Sequence, residues 1–261
     1  MKNYKYFIWV IGLLILILGC AFLCFQALIR LVTEAEKRNT IVSSSYAVYE
    51  FDPATILDSL NTKKDVFTKI EGEQGELRYD DLDAYKIIMP PINWKHEDYM
   101  KIANEAAFQF LGTSLSEWDL NFLLFRMSCT DAELGPQSMG LTLFKNGITE
   151  DELTQLDIDI YPRSGQIGLR NLFYSPYTLG QGYVPFEKIL VPFEEAFAIA
   201  EENGGYVARQ SINNECYIRV SYVAGKDDHW TVNYMQNSDN TRIFEIWIDE
   251  KTGEFKIITS P

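Results

Sequence analysis

The sequence predicts an α+β protein: an N-terminal transmembrane helix followed by two tandem units, each a helix packed on an antiparallel β-meander sheet. Three observations carry this expectation. Residues 7–29, FIWVIGLLILILGCAFLCFQALI, run for 23 residues without a charge. The segment LDIDIYPRSGQIGLR, residues 156–170, has a counterpart of the same shape in FEIWIDEKTGEFKII, residues 244–258. Each of the two is preceded by a helix-patterned stretch that ends on glycine.

As a helix, residues 7–29 would extend roughly 35 Å, enough to cross a hydrocarbon core of about 30 Å. A helix on a soluble core would carry polar positions every three or four residues, and this stretch has almost none. Two other readings stay open. A cleaved signal peptide has a shorter apolar core, of about 7–15 residues. A lipoprotein signal would use Cys20 of Ile17-Leu18-Gly19-Cys20 as the lipidated residue, although the chain remains apolar beyond it. Lys2 and Lys5 precede the span, and Arg30, Lys37 and Arg38 follow it. The excess of basic residues therefore does not fix orientation. A short tail, residues 1–6, before a large following region fits a cytoplasmic tail, with the bulk of the chain outside the cell membrane.

Residues 30–90 read as a juxtamembrane stalk and lead-in. Within them LVTEAEKR is a helix-forming run, IVSSSYAVYEF reads as a strand or extended segment, and Asp52-Pro53 opens a short helix as cap and first position. The first unit spans residues 91–173. In WKHEDYMKIANEAAFQFLG, residues 94–112, Tyr99, Ile102, Ala103, Ala106, Phe110 and Leu111 fall on one helix face, and Gly112 stops the helix. LNFLLFRMSC, SMGLTLF, QLDIDIY and IGLRNLFY follow as strands, the last two joined at Arg163-Ser164-Gly165-Gln166. Residues 174–186 form a connector whose GxG lacks the strand-to-helix setting of a phosphate loop. The second unit, residues 187–261, repeats the plan. The helix VPFEEAFAIAEENGG ends at Gly204-Gly205, and CYIRVSYV, HWTVNYMQ, RIFEIWIDE and FKIIT are its strands.

The repeat holds at a constant offset of 88: Leu156, Ile158 and Ile160 match Phe244, Ile246 and Ile248, and Ile167 and Leu169 match Phe255 and Ile257. Alternate residues share one face of a strand. Ser164-Gly165 and Thr252-Gly253 supply the glycine that a tight hairpin needs for a positive φ.

Charge narrows the partners. The chain carries a formal −14, and beyond position 38 it keeps 18 basic and 35 acidic residues, a balance of −17. Nucleic acid and anionic lipid would be repelled. A basic protein face, a basic peptide or calcium would be attracted, although acid also serves solubility alone. The acidic clusters Asp80-Asp81-Asp83 and Glu150-Asp151-Glu152 lack the oxygen spacing of a calcium loop. Of four cysteines, Cys20 and Cys24 lie in the span. In an extracytoplasmic region Cys129 and Cys216 would either form one disulfide between the halves or stay as two buried thiols.

Nothing assembles into a catalytic, cofactor or metal motif. His96 and His229 are the only histidines, both expected in solvent, and neither lies near a nucleophile elbow. No H-E-x-x-H, C-x-x-C or Walker pattern is present. Asp157, Asp159, Glu245 and Asp249 sit on the polar phase of the repeated strands. Paired carboxylates in a cleft between the units would make the chain a cell-envelope hydrolase, the alternative to a binding module. Trp247 also falls on the polar phase, between Glu245 and Asp249. Those three residues are the candidate partner-binding set.

The helix with Glu195, Ala196 and Ala198 ending at Gly204-Gly205, then Ile246-Trp247-Ile248-Asp249 and Thr252-Gly253-Glu254, resembles the PepSY-type domain of bacterial envelope proteins. The resemblance covers residues 190–261 well and 94–170 more weakly. In the first copy Pro162 stands where Glu250 does, and the turn reads SGQ. It implies a small non-catalytic domain that restrains peptidases or regulates envelope proteins; joined to the apolar run and the short tail, the expectation is a non-enzymatic, membrane-anchored extracytoplasmic protein that binds, restrains or organises an envelope or membrane protein or a peptide. It implies no catalytic, cofactor or metal residue.

Overall fold

The computed structural model describes residues 25–26, 41–62, 66–70, 93–146, 153–174, 184–185, 191–225 and 229–259. The expected pair of separate helix-on-sheet units is not what forms. The described residues build a single antiparallel sheet of eleven strands, flanked by few helices. The apolar run 7–29 lies outside the described residues apart from Phe25 and Gln26. Among the described residues no helix is long and apolar enough to cross a membrane.

The strands are β1 (Ile41–Glu50), β2 (Thr68–Lys69), β3 (Asp119–Ser128), β4 (Ser138–Asn146), β5 (Leu153–Tyr161), β6 (Gln166–Tyr174), β7 (Val184–Pro185), β8 (Cys216–Val223), β9 (His229–Gln236), β10 (Arg242–Asp249) and β11 (Phe255–Thr259). Their order in the sheet is β11-β10-β9-β8-β3-β4-β5-β6-β1-β2, with the short β7 beside the start of β3. Each half contributes four consecutive strands, β3–β6 and β8–β11, and the two sets meet where β3 pairs with β8. Two separate meanders would each leave the first strand with an unpaired row of amides and carbonyls, a template for aggregation. Joining β3 to β8 removes both edges at once. At the far end β1 covers β6 over nearly its whole length, from Ile41↔Tyr174 to Glu50↔Gln166. The stretch expected as lead-in to the first unit thus supplies a strand of the sheet.

The hairpins read from the sequence both close. Gly165 (φ 65°) lies between β5 and β6, and Gly253 (φ 72°) between β10 and β11. At Gly165 the tightness has a cause: a Cβ would lie 2.5 Å from the Phe51 carbonyl oxygen. That oxygen belongs to the residue following β1, so the turn and the added strand are packed as one.

Alternation puts one set of side chains under the helices. Leu123, Phe125, Met127, Leu141, Leu143, Ile158, Ile160, Ile167 and Leu169 come from the first half, and Ile218, Val220, Trp230, Val232, Tyr234, Ile246 and Ile248 from the second; all are buried in one continuous core. Helix α1 (Ile56–Asn61) sits at the β1 end. Helix α2 (His96–Leu111) buries Tyr99, Ile102, Ala103 and Ala106, the face its spacing predicts, and stops at Gly112 in the left-handed region. Helix α3 (Phe193–Ala200) does not end at Gly204-Gly205 as expected. The chain makes a widened turn over Glu201–Gly205 and resumes as α4 (Tyr206–Ser211). The kink follows from the strand beneath: the Tyr234 hydroxyl occupies the space beside Gly205 and donates to Glu201 Oε1 at 2.6 Å.

The halves are locked in three places. Above the seam Phe125 of β3 stacks on Phe193 of α3 at 3.9 Å. Tyr99 of α2 meets Phe193 edge-on at 6.0 Å, and the Trp230 ring lies 6.4 Å from Phe125. At one end of the seam Cys129 and Cys216 form a disulfide, their Cα atoms 5.2 Å apart. Beside it Arg209, buried on α4, reaches Glu201 at 2.8 Å and donates to the carbonyl of Cys129 at 3.3 Å.

Candidate functional site

Strand alternation sends Trp247, Glu245 and Asp249 to the outer face of β10, but the three do not act alike. Glu245 is buried. It pairs with Arg242 and accepts from Trp247 Nε1 at 2.8 Å. Its charge is therefore spent inside the molecule. Trp247 is half-buried, stacked on His229 at 4.6 Å, so one ring face is already taken. Asp249 organises the following turn by accepting from the N–H groups of Lys251 (2.9 Å) and Thr252 (2.8 Å). Those bonds, the Thr252 amide first, hold its carboxyl below the usual range. Glu245 and Trp247 thus form a small internal cluster, and Asp249 is a turn residue.

The other polar-phase carboxylates are equally dispersed. Asp157 accepts from Thr142 (2.9 Å), Gln155 (2.9 Å) and Arg170 (2.6 Å). Asp159 is different: it lies between Gly140 and Gly168 of the neighbouring strands, its Oδ2 is buried, and that atom has no hydrogen-bond partner. Burial pushes its pKa up to about 7 in spite of the Arg170 charge. Because the sheet is continuous, the cleft between units that a carboxylate pair would line is replaced by the β3–β8 ladder. Among the described residues no group of three or more His, Cys, Asp or Glu is placed to hold a metal. The clusters at 80–83 and 150–152, and most of the 174–186 connector, lie outside the described residues.

His96 is not in solvent. It opens α2 beneath the second half, where its backbone N–H donates to Glu194 Oε2 at 3.2 Å. Its ring lies 6.0 Å from Phe125 and 6.3 Å from both Phe193 and Trp230. Desolvation lowers its pKa to about 4. It is part of the packing that joins the halves.

β11 carries three exposed apolar side chains in a strand of five residues. Phe255 and Ile257 pair with the buried Ile248 and Ile246, so they point to the helix side of the sheet. There they remain 48% and 44% exposed, with Ile258 at 36%. Their counterparts at the offset of 88, Ile167 and Leu169, are 0% exposed. The difference is β1: Tyr49 and Ala47 lie directly opposite Ile167 and Leu169. Among the described residues β11 pairs with β10 alone. Sequence reasoning missed this edge because it left the strand-like run IVSSSYAVYEF in the lead-in, paired with neither unit. The signal was an extended run, IVSSSYAVYEF, with no equivalent beside the second copy.

No protein-family model, curated protein or solved structure matches this chain.

Proposed function

We propose that the protein is a non-enzymatic binding and regulatory module of the cell envelope, held at the membrane by its apolar N-terminal run with the bulk outside the cytoplasm. The working surface is the open edge of β11, and its occupant is an extended segment of a basic envelope protein that adds to the sheet as a further antiparallel strand. One observation carries this reading: equivalent side chains are wholly buried at β6, where β1 is added, and nearly half exposed at β11. The molecule contains its own example of what such an edge accepts. In strand addition the backbone supplies affinity, and alternate side-chain pockets supply choice. Fully burying a large apolar side chain is worth about 1.5–3 kcal/mol. Phe255 and Ile257 are a little under half exposed, so covering both gains on the order of 2 kcal/mol. The balance of −17 beyond position 38 favours a basic occupant and raises its encounter rate at low salt. The PepSY-type resemblance adds the role: restraint or organisation of a peptidase or another envelope protein.

The test is hydrogen exchange on the full chain in detergent, with a synthetic ten-residue peptide of alternating valine and lysine. The β11 amides should become protected, and the protection should disappear in Phe255→Lys/Ile257→Lys. Exchange at β11 unaltered by the peptide would defeat the proposal. Protection that grows with protein concentration alone would replace the basic partner with a second copy of the chain.

A further inference from the structure

The β3–β8 ladder sets Arg126 directly opposite Arg219 on the outer face of the sheet, one arginine from each half. Like charges directly opposite one another across a strand pair destabilise it. Elsewhere on this face the arginines have carboxylate partners: Arg170 holds Asp157, and Arg242 holds Glu245. Among the described residues neither Arg126 nor Arg219 has an acidic group within ion-pair distance. Arg219 Nε is moreover buried with no hydrogen-bond partner. Its neighbour on β9, Asn233, offers an amide oxygen but makes no hydrogen bond to it.

The two guanidinium groups belong to a pocket of about 460 Å³ that straddles the seam beside the disulfide. Its remaining polar side chains are uncharged: Ser128 and Gln137 from the first half, Tyr217 and Asn237 from the second. A chain with 37 acidic residues thus places none of them in the wall of this pocket among the described residues. Unpaired arginine forks suit the paired oxygens of a phosphate or carboxylate, which they bind with two parallel hydrogen bonds. Amides and hydroxyls around them suit a hydroxyl-bearing body. A bare anion would not fill the volume.

We infer that the seam pocket is a binding site for a small hydroxyl-bearing molecule carrying a phosphate or carboxylate, whose oxyanion is gripped by Arg126 of one half and Arg219 of the other. Occupation offsets the repulsion between the two cations and closes a bridge across the junction. The site is independent of the β11 edge, which lies three strands away from β8.

Calorimetric titration of the full chain in detergent tests this with three probes: ribose 5-phosphate, gluconate and neutral ribose. Saturable binding of ribose 5-phosphate, gluconate or both is expected, weakening with salt, and none of ribose. The acid that binds identifies the oxyanion. Arg126→Gln and Arg219→Gln should each weaken binding about tenfold, as expected for loss of one charge-assisted contact, and the double variant should abolish it. Without ligand those variants should melt at or above the parent temperature, because the repulsion is gone. Arg126→Lys and Arg219→Lys keep the charge and lose the fork; they should bind several-fold more weakly while remaining folded. The proposal is overturned if neither acid binds saturably, if ribose binds as well as they do, or if the glutamine variants bind like the parent.

Discussion

A methyl group on Gly205 would sit 2.3 Å from Tyr234 Oη and 2.8 Å from the Ala200 carbonyl oxygen. Tyr234 is fully buried and tied to Glu201, so it has nowhere to retreat. Gly205→Ala should therefore cost about 2–3 kcal/mol, the upper range for overpacking, read as a fall in the denaturation midpoint. Two single residues also make stability depend on pH, with opposite signs. His96 titrates near 4 when folded and near 6.5 when unfolded, because burial disfavours its charge. The unfolded chain takes up the proton first, so stability is intact above about pH 6.5 and falls as pH drops toward 4. The loss is about 2 kcal/mol at pH 5. His96→Phe should flatten that limb of the melting curve. Asp159 works the other way, since its folded value is raised to about 7. Its contribution is present below about pH 4 and disappears as pH rises through 7. Asp159→Asn should leave the melting temperature at pH 4 unchanged and raise stability at pH 8 by about 1–3 kcal/mol.

Among the elements, β10 and β11 carry the same residue type in opposite circumstances. Ile246 is fully buried, whereas its cross-strand partner Ile257 is 44% exposed. Ile246→Ala should cost about 2–5 kcal/mol through lost burial and a cavity. Ile257→Lys should change the stability of the free protein by less than about 0.5 kcal/mol; urea titration of both variants checks this. The elements themselves were legible in the sequence. The apolar spacing from Tyr99 to Ala106 gave the face of α2, and the alternation in LDIDIY and FEIWID gave the strands. Ser164-Gly165 and Thr252-Gly253 gave the hairpins. What single strands do not encode is which edge meets which. Leu123 and Val220 look alike whether their strand is at an edge or in the middle of a sheet, so the β3–β8 junction and the placement of β1 on β6 were not readable. The same gap hid the sites. Arg126 and Arg219 are 93 residues apart in the chain, and only the register brings them face to face. Trp247, Glu245 and Asp249 were legible as outward-facing, but not as already engaged with His229, Arg242 and the turn.

For the whole molecule, the junction of the halves is reinforced by a covalent link. The disulfide closes a loop across a separation of 87 residues. Removing a native disulfide of this kind costs about 2–5 kcal/mol. Cys129→Ser/Cys216→Ser should lower the melting temperature, and mild reduction should act on the parent protein in the same direction while leaving the double variant unaffected. Both halves should still melt together, because one core runs through them. The ladder geometry also decides how the protein bears force. A load pulling sideways on β11 opens backbone bonds one after another, like a zip. The β10–β11 ladder runs only from Glu245 to Ile248, whereas β3–β8 runs from Phe122 to Ser128 and ends at a covalent link. β11 would therefore peel away before the junction opens, and a tug strong enough to strip it from the sheet would leave the two halves fastened to each other.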